Sequence, residues 1–239
     1  MADRFPLMVF AAGLGTRMRH LTQVRPKPLI RVGGVPMLDR ALAFGRAARC
    51  RPVVVNTHYL SEQIVSHLMG RPVRISHEKE LLETGGGLRQ ALPALGHGAV
   101  MTLNPDAVWT GGNPLKALAR NWDPLKMGAL LLLAPRAGLP GRKGGSDFTL
   151  GRDGRIMRMP KDSETGRDMM PNGMVYLGAQ ILRTDWLFRQ PTGAFSLNLV
   201  WDEMIRNDRA YGLVWPGGWC DVGSPEGLAE AEAMLAAAK

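Results

Sequence analysis

The sequence has few cysteines, few aromatic residues and no long apolar run, and each shortage argues against a class of protein. Cys50 and Cys220 are the only cysteines among 239 residues, too few for a disulfide framework and without metal-site spacing. We therefore expect reduced thiols in a cytoplasmic protein. With 6% aromatic residues, platforms for stacking nucleic-acid bases are scarce. The apolar run at residues 129–134 is too short to cross a bilayer, and we expect no binding to nucleic acid or membrane.

Acidic residues are outnumbered by basic ones, which predicts an affinity for anions. The chain carries 30 Lys and Arg against 21 Asp and Glu, a formal charge of +9. Nucleic acid, acidic membranes and phosphorylated small molecules are all attracted by such a charge, and the charge alone does not distinguish them. The hydrophobic fraction of 45% is ordinary for a folded protein and argues against general disorder.

Short apolar runs alternate with amphipathic stretches through the first half of the chain. This alternation predicts an α/β fold, with a Rossmann-like, mostly parallel mixed sheet that is flanked by helices. The expected strands are residues 7–11, 53–56, 73–76, 100–104 and 129–133, and the expected helices are 37–48, 61–69, 87–92 and 114–121. Ser61 is a plausible N-cap for the second helix.

After residue 135 the pattern changes to a small β-rich subregion. Asp153-Gly154 predicts a hairpin between two short strands. Ser224 followed by Pro225 predicts the start of a last helix, with Ser224 as its N-cap. The remaining elements are expected at residues 148–150, 156–159, 174–182, 197–206 and 225–238.

A glycine-containing loop follows the first predicted strand. It reads Ala11-Ala12-Gly13-Leu14-Gly15-Thr16-Arg17-Met18. Glycines let backbone N–H groups approach a phosphate, and the threonine and arginine add further donors. By itself, such a loop is more often a tight turn between a strand and the next element. The dinucleotide fingerprint needs a third glycine where Met18 stands, and the Gly-Lys-Ser/Thr of a P-loop is missing from the sequence, so both motifs are excluded.

Pro26-Lys27-Pro28-Leu29 places a lysine between two prolines. The prolines keep Lys27 out of a regular helix, and the residue is either a fixed phosphate ligand or a solvated loop lysine. Taken together, segments 11–18 and 26–29 resemble the signature of the sugar nucleotidylyltransferases. The resemblance implies the nucleotide-diphospho-sugar transferase type of fold. It also implies that the loop, Arg17 and Lys27 hold a nucleoside triphosphate, with Ala11, Gly13, Leu14, Gly15 and Thr16 as the other binding residues.

Two further motifs gain a role through this resemblance. The first is the glycine motif Leu82-Glu83-Thr84-Gly85-Gly86-Gly87, which either exposes backbone hydrogen-bonding groups or is a flexible turn. The family resemblance implies that Glu83, Thr84, Gly85 and Gly86 recognise the nucleotide base. Asp106 ends a predicted strand, and Asp221 lies between apolar residues. By itself, an aspartate at such a place is usually a cap or a surface charge. The family implies that both hold Mg²⁺ and act in catalysis with Arg17 and Lys27. Relatives usually carry a smaller residue at the position of Pro105.

The acceptor side is expected in the second half of the chain. Asp147, Asn172 and Gly173 are candidates for hydrogen bonds to sugar hydroxyls, and the alternative is a structural role in turns. Lys161 is a candidate for binding the sugar phosphate, and the alternative is a solvated lysine. We expect one domain over residues 1–239, nucleotide-binding to about residue 135 and sugar-binding from about 136. The segment 136–172 is a candidate lid.

Across nearly the whole chain, the motifs are most similar to the N-acetylmuramate-1-phosphate uridylyltransferase branch. The implied reaction joins a nucleoside triphosphate, expected to be UTP, to a sugar 1-phosphate, expected to be N-acetylmuramate 1-phosphate, and releases pyrophosphate. A monomer or homodimer serving peptidoglycan recycling is implied. The alternatives are a mannose- or heptose-1-phosphate guanylyltransferase, a non-catalytic nucleotide-sugar sensor and a basic nucleic-acid-binding domain.

Overall fold

The computed structural model describes residues 4–137, 139 and 144–238. Its strands are β1 (Leu7–Val9), β2 (Arg31–Val32), β3 (Val35–Pro36), β4 (Val53–Thr57), β5 (Arg74–His77), β6 (Ala99–Leu103), β7 (Ala107–Trp109), β8 (Ala129–Pro135), β9 (Phe148–Leu150), β10 (Ile156–Arg158), β11 (Met174–Arg183), β12 (Ala210–Val214) and β13 (Trp219–Asp221). Its helices are α1 (Met37–Ala47), α2 (Ser61–Leu68), α3 (Glu83–Leu95), α4 (Pro114–Asn121), α5 (Leu197–Arg206) and α6 (Pro225–Ala237).

The main sheet is mixed, with a parallel centre, and it confirms the predicted fold class. In the part of the chain that the structure describes, it has nine strands, in which β1 lies between β4 and β6 and all three are parallel. β5 extends this parallel part beyond β4. On the other side, β11 runs antiparallel to β6, β8 and β9, and β12 pairs in parallel with β8.

Alternate residues of the central strand face opposite helical layers. Leu7 and Val9 belong to a core cluster with α1, α2 and α4, whereas Met8 belongs to a cluster with α3 and α5. This is the period of two that a strand requires. Each of these three side chains is fully buried, and such burial contributes roughly 1.5–3 kcal/mol per side chain.

A smaller third core lies beside the main sheet. β7 and β13 form an antiparallel ribbon, and α6 packs on β13. The ribbon and α6 share an apolar cluster that includes Met18, Val108 and Cys220. Cys50 and Cys220 are both free and buried, and burial raises the pKa of each thiol to about 12. Within the described residues, no helix is long and apolar enough to span a membrane.

The structure tests the two predicted N-caps and the predicted hairpin. Ser224 caps α6, and its side chain accepts a hydrogen bond from the backbone N–H of Gly227, as expected. The N-cap expected at Ser61 is wrong, because the left-handed residue Leu60 takes that position with no side-chain hydrogen bond. The hairpin at Asp153-Gly154 is confirmed, since β9 and β10 pair on either side of it.

Strand β11 contains a β-bulge where it passes the end of β6. Its register with β8 shifts between Tyr176 and Gln180, and the intervening Gly178 has a φ of +85°. An added Cβ at Gly178 would lie 2.9 Å from Cβ of Asn104, whose backbone N–H donates to the carbonyl of Gly178 at 2.7 Å. The bulge therefore brings β11 into close contact with the segment that carries Asp106.

Substitution of Gly178 tests this close contact. We expect Gly178→Ala to lower the free energy of unfolding by about 2–4 kcal/mol, because the alanine adopts a left-handed φ and also meets Asn104. Gly70 is the matched control: its φ is +74°, but an added Cβ meets nothing within 4 Å. Gly70→Ala should cost only about 1–2 kcal/mol of strain. Equal losses in urea denaturation of the two variants would contradict the proposed contact.

Candidate active site

A cleft of about 440 Å³ opens at the carboxyl ends of β1, β4, β5 and β6. Parallel strands that end at one edge bring their following loops together, so residues distant in sequence share this space. The residues that line it are Phe10, Ala11, Ala12, Gly13, Gly15, Thr16, Arg17, Lys27, Pro28, Asn56, Glu78, Leu81, Glu83, Thr84, Asn104, Pro105, Asp106, Ser196 and Gly223.

The loop after β1 folds tightly onto the segment that carries Lys27. Gly15 has a φ of +67°, and an added Cβ would lie 3.0 Å from Cβ of Lys27 and 3.0 Å from Cγ2 of Thr22. The hydroxyl of Thr22 donates to the carbonyl of Gly15 at 3.0 Å. At Gly13 an added Cβ would meet nothing within 4 Å, so space remains above the loop. The predicted phosphate loop therefore lines the cleft with Lys27 beside it, whereas Leu14 is exposed outside the lining set.

Lys27 and Asp106 form a short ion pair within the cleft. Lys27 Nζ lies 2.5 Å from Asp106 Oδ2, and the two side chains are 13% and 25% exposed. Pro105 lies in the turn between β6 and β7 and does not divert the acid from the cleft. The two residues are 79 positions apart in sequence, so the fold, rather than local spacing, brings them together.

Asp221 reaches the same region from the β7–β13 ribbon. It pairs in register with Ala107, and the backbone N–H of Val222 donates to the carbonyl of Asp106 at 2.9 Å. An added Cβ at Gly223 would lie 3.1 Å from both Arg17 Nη1 and Asp221 Oδ2. The structure thus places Arg17 and Asp221 around Gly223. Asp106 lies in the turn before β7, next to the strand that carries Asp221, and Asp221 itself is outside the described lining of the cleft.

The two carboxylates suit a hard divalent cation that is also coordinated by oxygens of water and of a bound phosphate. Asp106 and Asp221 each supply a carboxylate, and Mg²⁺ typically takes one or two carboxylates together with waters and phosphate oxygens. Among the residues that the structure describes, no group of three or more His, Cys, Asp or Glu is placed to hold a metal. An all-protein cage is therefore not present in that part of the chain.

The glycine motif after Leu82 is helical, and its two central backbone donors are already used. The N–H groups of Gly85 and Gly86 donate to the carbonyl of Phe195 at 2.8 and 3.1 Å. Both glycines are buried, and an added Cβ at Gly85 would lie 2.3 Å from the Phe195 ring. The expectation that Gly85 and Gly86 expose their donors to a base is wrong for this geometry. Glu83 and Thr84 do line the cleft.

Glu78 is a cleft residue that the sequence reasoning missed. Its side chain is fully buried and accepts hydrogen bonds from Asn56 Nδ2 at 2.7 Å and from the backbone N–H of Leu82 at 3.0 Å. Asn56 Oδ1 accepts from the backbone N–H of Ala11 at 2.7 Å. The available signal was position, because Glu78 directly follows β5 at the edge where the other strands end. An added Cβ at Gly87 would lie 2.5 Å from Glu78 Oε1, so this glycine leaves room for the carboxylate.

The four predicted sugar-side residues do not belong to the described lining of this cleft. Asp147 accepts the backbone N–H of Tyr176 at 2.8 Å, which is a structural role in β11. Gly173 is buried against Ser146, where an added Cβ would collide with Oγ. Asn172 is exposed, and its contact with a sugar stays a prediction. The lid at 136–172 also stays a prediction, and residues 138 and 140–143 of it lie outside the described residues.

Lys161 is bound to its own chain. Its ammonium donates to the carbonyl of Ser146 at 2.8 Å and forms an ion pair with Asp168, which in turn accepts the backbone N–H of Ser146 at 2.8 Å. In this structure the ammonium of Lys161 is therefore bound to Ser146 and Asp168 of the same chain instead of being free for a sugar phosphate. The bond to Lys161, with those to Ser146, lowers the pKa of Asp168 to about 2. The ion pair is retained above the ordinary carboxyl pKa of 3.8 and is lost as the pH falls towards 2.

Sequence comparison identifies the family of this site. Residues 7–138, which include the loop, Lys27, the glycine motif and Asp106, match the MobA-like NTP transferase domain. The chain belongs to this family. It is a nucleotidyltransferase, and nucleotidyltransferases of this kind commonly use a divalent metal.

Relatives of this NTP transferase match over 97% of its length. It is 37% identical to the N-acetylmuramate alpha-1-phosphate uridylyltransferase of Caulobacter vibrioides, over 97% of each chain. It is 30% identical to the enzyme of the same name from Neisseria meningitidis, over 97% of this chain and 99% of that one. The crystal structure of HddC from Yersinia pseudotuberculosis complexed with GMP-PN is similar in fold. Its TM-score is 0.74 at 19% identity, over 97% of this chain and 99% of that one.

Two variants test whether Lys161 only forms the ion pair with Asp168 or also binds the sugar phosphate. We expect Lys161→Met and Asp168→Asn to lower the free energy of unfolding by similar amounts, up to about 1 kcal/mol, because the pair is partly exposed. The double variant should lose no more than either single one, since each change breaks the same ion pair. Thermal unfolding and sugar-phosphate KM are measured together. A KM raised tenfold in Lys161→Met alone would show that Lys161 binds phosphate directly.

Proposed function

We propose that this NTP transferase joins UTP to N-acetylmuramate 1-phosphate and releases pyrophosphate, with Mg²⁺ as its cofactor. The observation that carries the proposal is that Arg17, Lys27 and Asp106 line one cleft at the end of the parallel strands, while Asp221 lies beside Gly223 of the same lining. Two full-length relatives that carry this activity in their names support the choice of substrates. A role in re-use of cell-wall sugars follows from those substrates.

The proposed reaction is attack by an oxygen of the sugar phosphate on the α-phosphorus of the triphosphate. A new P–O bond forms while the bond to the bridging oxygen of pyrophosphate breaks. The second pKa of a phosphate monoester is about 6, so the attacking oxygen is already ionised near neutral pH. No side chain has to remove a proton. The main obstacle is the mutual repulsion of two anions.

Electrostatics sets what the cleft must supply. Two unit charges about 4 Å apart repel by roughly 1 kcal/mol in water and about 4 kcal/mol at an intermediate dielectric. Arg17 and Lys27 are the cationic side chains that line the cleft, and we assign them to the triphosphate, with the amides of the loop at Gly13 and Gly15. Asp106 and Asp221 would hold Mg²⁺, which supplies positive charge against the developing pyrophosphate.

The remaining assignments extend the same proposal. Glu83 and Thr84 line the cleft and are assigned to the base. The half of the chain from about residue 136 is assigned to the sugar, with Asn172 as the candidate contact. The thiols of Cys50 and Cys220 take no part, because both are buried. We propose a cytoplasmic monomer or homodimer.

Charge-removing variants test the two acids. We expect Asp106→Asn and Asp221→Asn each to lower turnover by on the order of 100-fold or more, because each loses a carboxylate that holds the cation. Asp185→Asn is the control, since Asp185 is half-exposed and pairs with Arg183 outside the cleft. It should retain wild-type turnover. Near-normal pyrophosphate release by either test variant would remove that acid from the proposed metal site.

The substrates are tested by pyrophosphate release from five nucleoside triphosphates, each combined with four sugar 1-phosphates. These are the N-acetylmuramate, N-acetylglucosamine, mannose and glucose compounds, with Mg²⁺ present throughout and omitted from a parallel set. We expect activity with UTP and N-acetylmuramate 1-phosphate at least about tenfold above any other pair. A preference for GTP with mannose 1-phosphate would establish a guanylyltransferase instead. Binding of nucleotide sugar without turnover of any pair would favour the sensor.

A further inference from the structure

One of the two acids that we assign to the metal is already paired with a cation of the chain. Lys27 is paired with Asp106, and the guanidinium of Arg17 and the carboxylate of Asp221 both flank Gly223. We propose that Lys27 occupies the cation position on Asp106 in the ligand-free enzyme, so that the divalent cation enters together with the nucleotide. This inference rests on the proposed function, since it assigns a regulatory step to the same site.

The environment of the pair makes Lys27 an effective competitor for a metal. Its ammonium lies 2.5 Å from Asp106 Oδ2, and only 13% of the lysine side chain is exposed. Solvent therefore screens the pair less than it screens an exposed ion pair. A metal that arrives alone must displace this ammonium and leave it in the cleft without its carboxylate, which is costly for a partly buried charge.

The backbone of Lys27 holds the ammonium at this position. Lys27 lies between two prolines and begins the short 3₁₀ helix Lys27–Leu29. The N–H of Ile30 donates to the carbonyl of Lys27 at 3.0 Å, which fixes the turn. With the backbone fixed, the side chain can exchange one partner for another inside the cleft by rotation about its own bonds. Asp106 and an incoming phosphate are the two partners that we assign to it.

The nucleotide removes the competition by offering new acceptors. The phosphate oxygens of a triphosphate accept from Lys27 Nζ, and Asp106 is then available to the cation. Metal and nucleotide thus each favour the binding of the other, and the coupling is reciprocal.

The test measures Mn²⁺ binding by the decrease of the free-ion electron paramagnetic resonance signal, without sugar phosphate and without turnover. Wild-type protein, Lys27→Met and Lys126→Met are compared, alone and with UTP. Lys126 is the matched control, because its ion pair with Asp123 is at the surface and its loss changes the net charge by the same amount. Lys27→Gln is measured in parallel, so that poor folding of one variant leaves the other.

We expect the Lys27 variants to bind Mn²⁺ alone at least about tenfold more tightly than wild type, which corresponds to about 1.4 kcal/mol. Lys126→Met should match wild type, and the double variant Lys27→Met/Asp106→Asn should lose the gain. The inference is overturned if the Lys27 variants bind Mn²⁺ no more tightly than wild type, or if the gain survives removal of Asp106. Wild-type protein that binds neither Mn²⁺ nor Mn²⁺ with UTP would instead overturn the proposed function itself.

Discussion

The parallel alignment of β1, β4 and β6 is the constraint on which the candidate site depends. Each strand runs the same way, so the loop after β1, the carboxylate after β5 and the acid after β6 all emerge at one edge. The sheet thereby brings together polar groups that are far apart in sequence. Glu78 follows β5 by one residue and Asp106 follows β6 by three, so both emerge close to that edge.

Buried polar contacts then fix the loops relative to one another. Asn56 links the backbone of Ala11 to Glu78, and Glu78 links onward to the backbone of Leu82. This chain of hydrogen bonds links the loop after β1 to the segment that precedes α3 through the interior. A buried carboxylate is expensive unless its oxygens are hydrogen-bonded, so the network stabilises one arrangement of the two loops.

The sequence predicted the elements well where periodicity and local chemistry agree. Helices α4 and α5 have the bounds expected from their apolar spacing, and Ser224 caps α6. Prediction was weaker where a distant segment decides the local structure. The helix α3 begins at Glu83, four residues before the expected start, because the glycines that oppose helix formation are needed for contact with Phe195.

The candidate site divides in the same way. Arg17, Lys27 and Asp106 line one cleft, and Asp221 lies beside Gly223 of that lining. Their roles in catalysis and metal binding stay predictions. Lys161 and Asp147 were assigned to a ligand from residue type and from their position next to predicted strands, and both bind partners within the chain. Residue type gives the chemistry that a side chain is capable of, whereas only the tertiary partners show whether that capacity is already used.

The ribbon of β7 and β13 has a consequence for how the active form arises during folding. Arg17 is near the beginning of the chain and Asp221 near its end, so the site joins the most distant parts of the sequence. Contacts of such separation cost the most loop-closure entropy and form late. If Asp221 has the role that we propose, a chain that has folded its central sheet but has not yet docked β13 and α6 is native-like in most of its structure and still inactive. Catalytic competence therefore reports completion of the whole fold, rather than formation of its core.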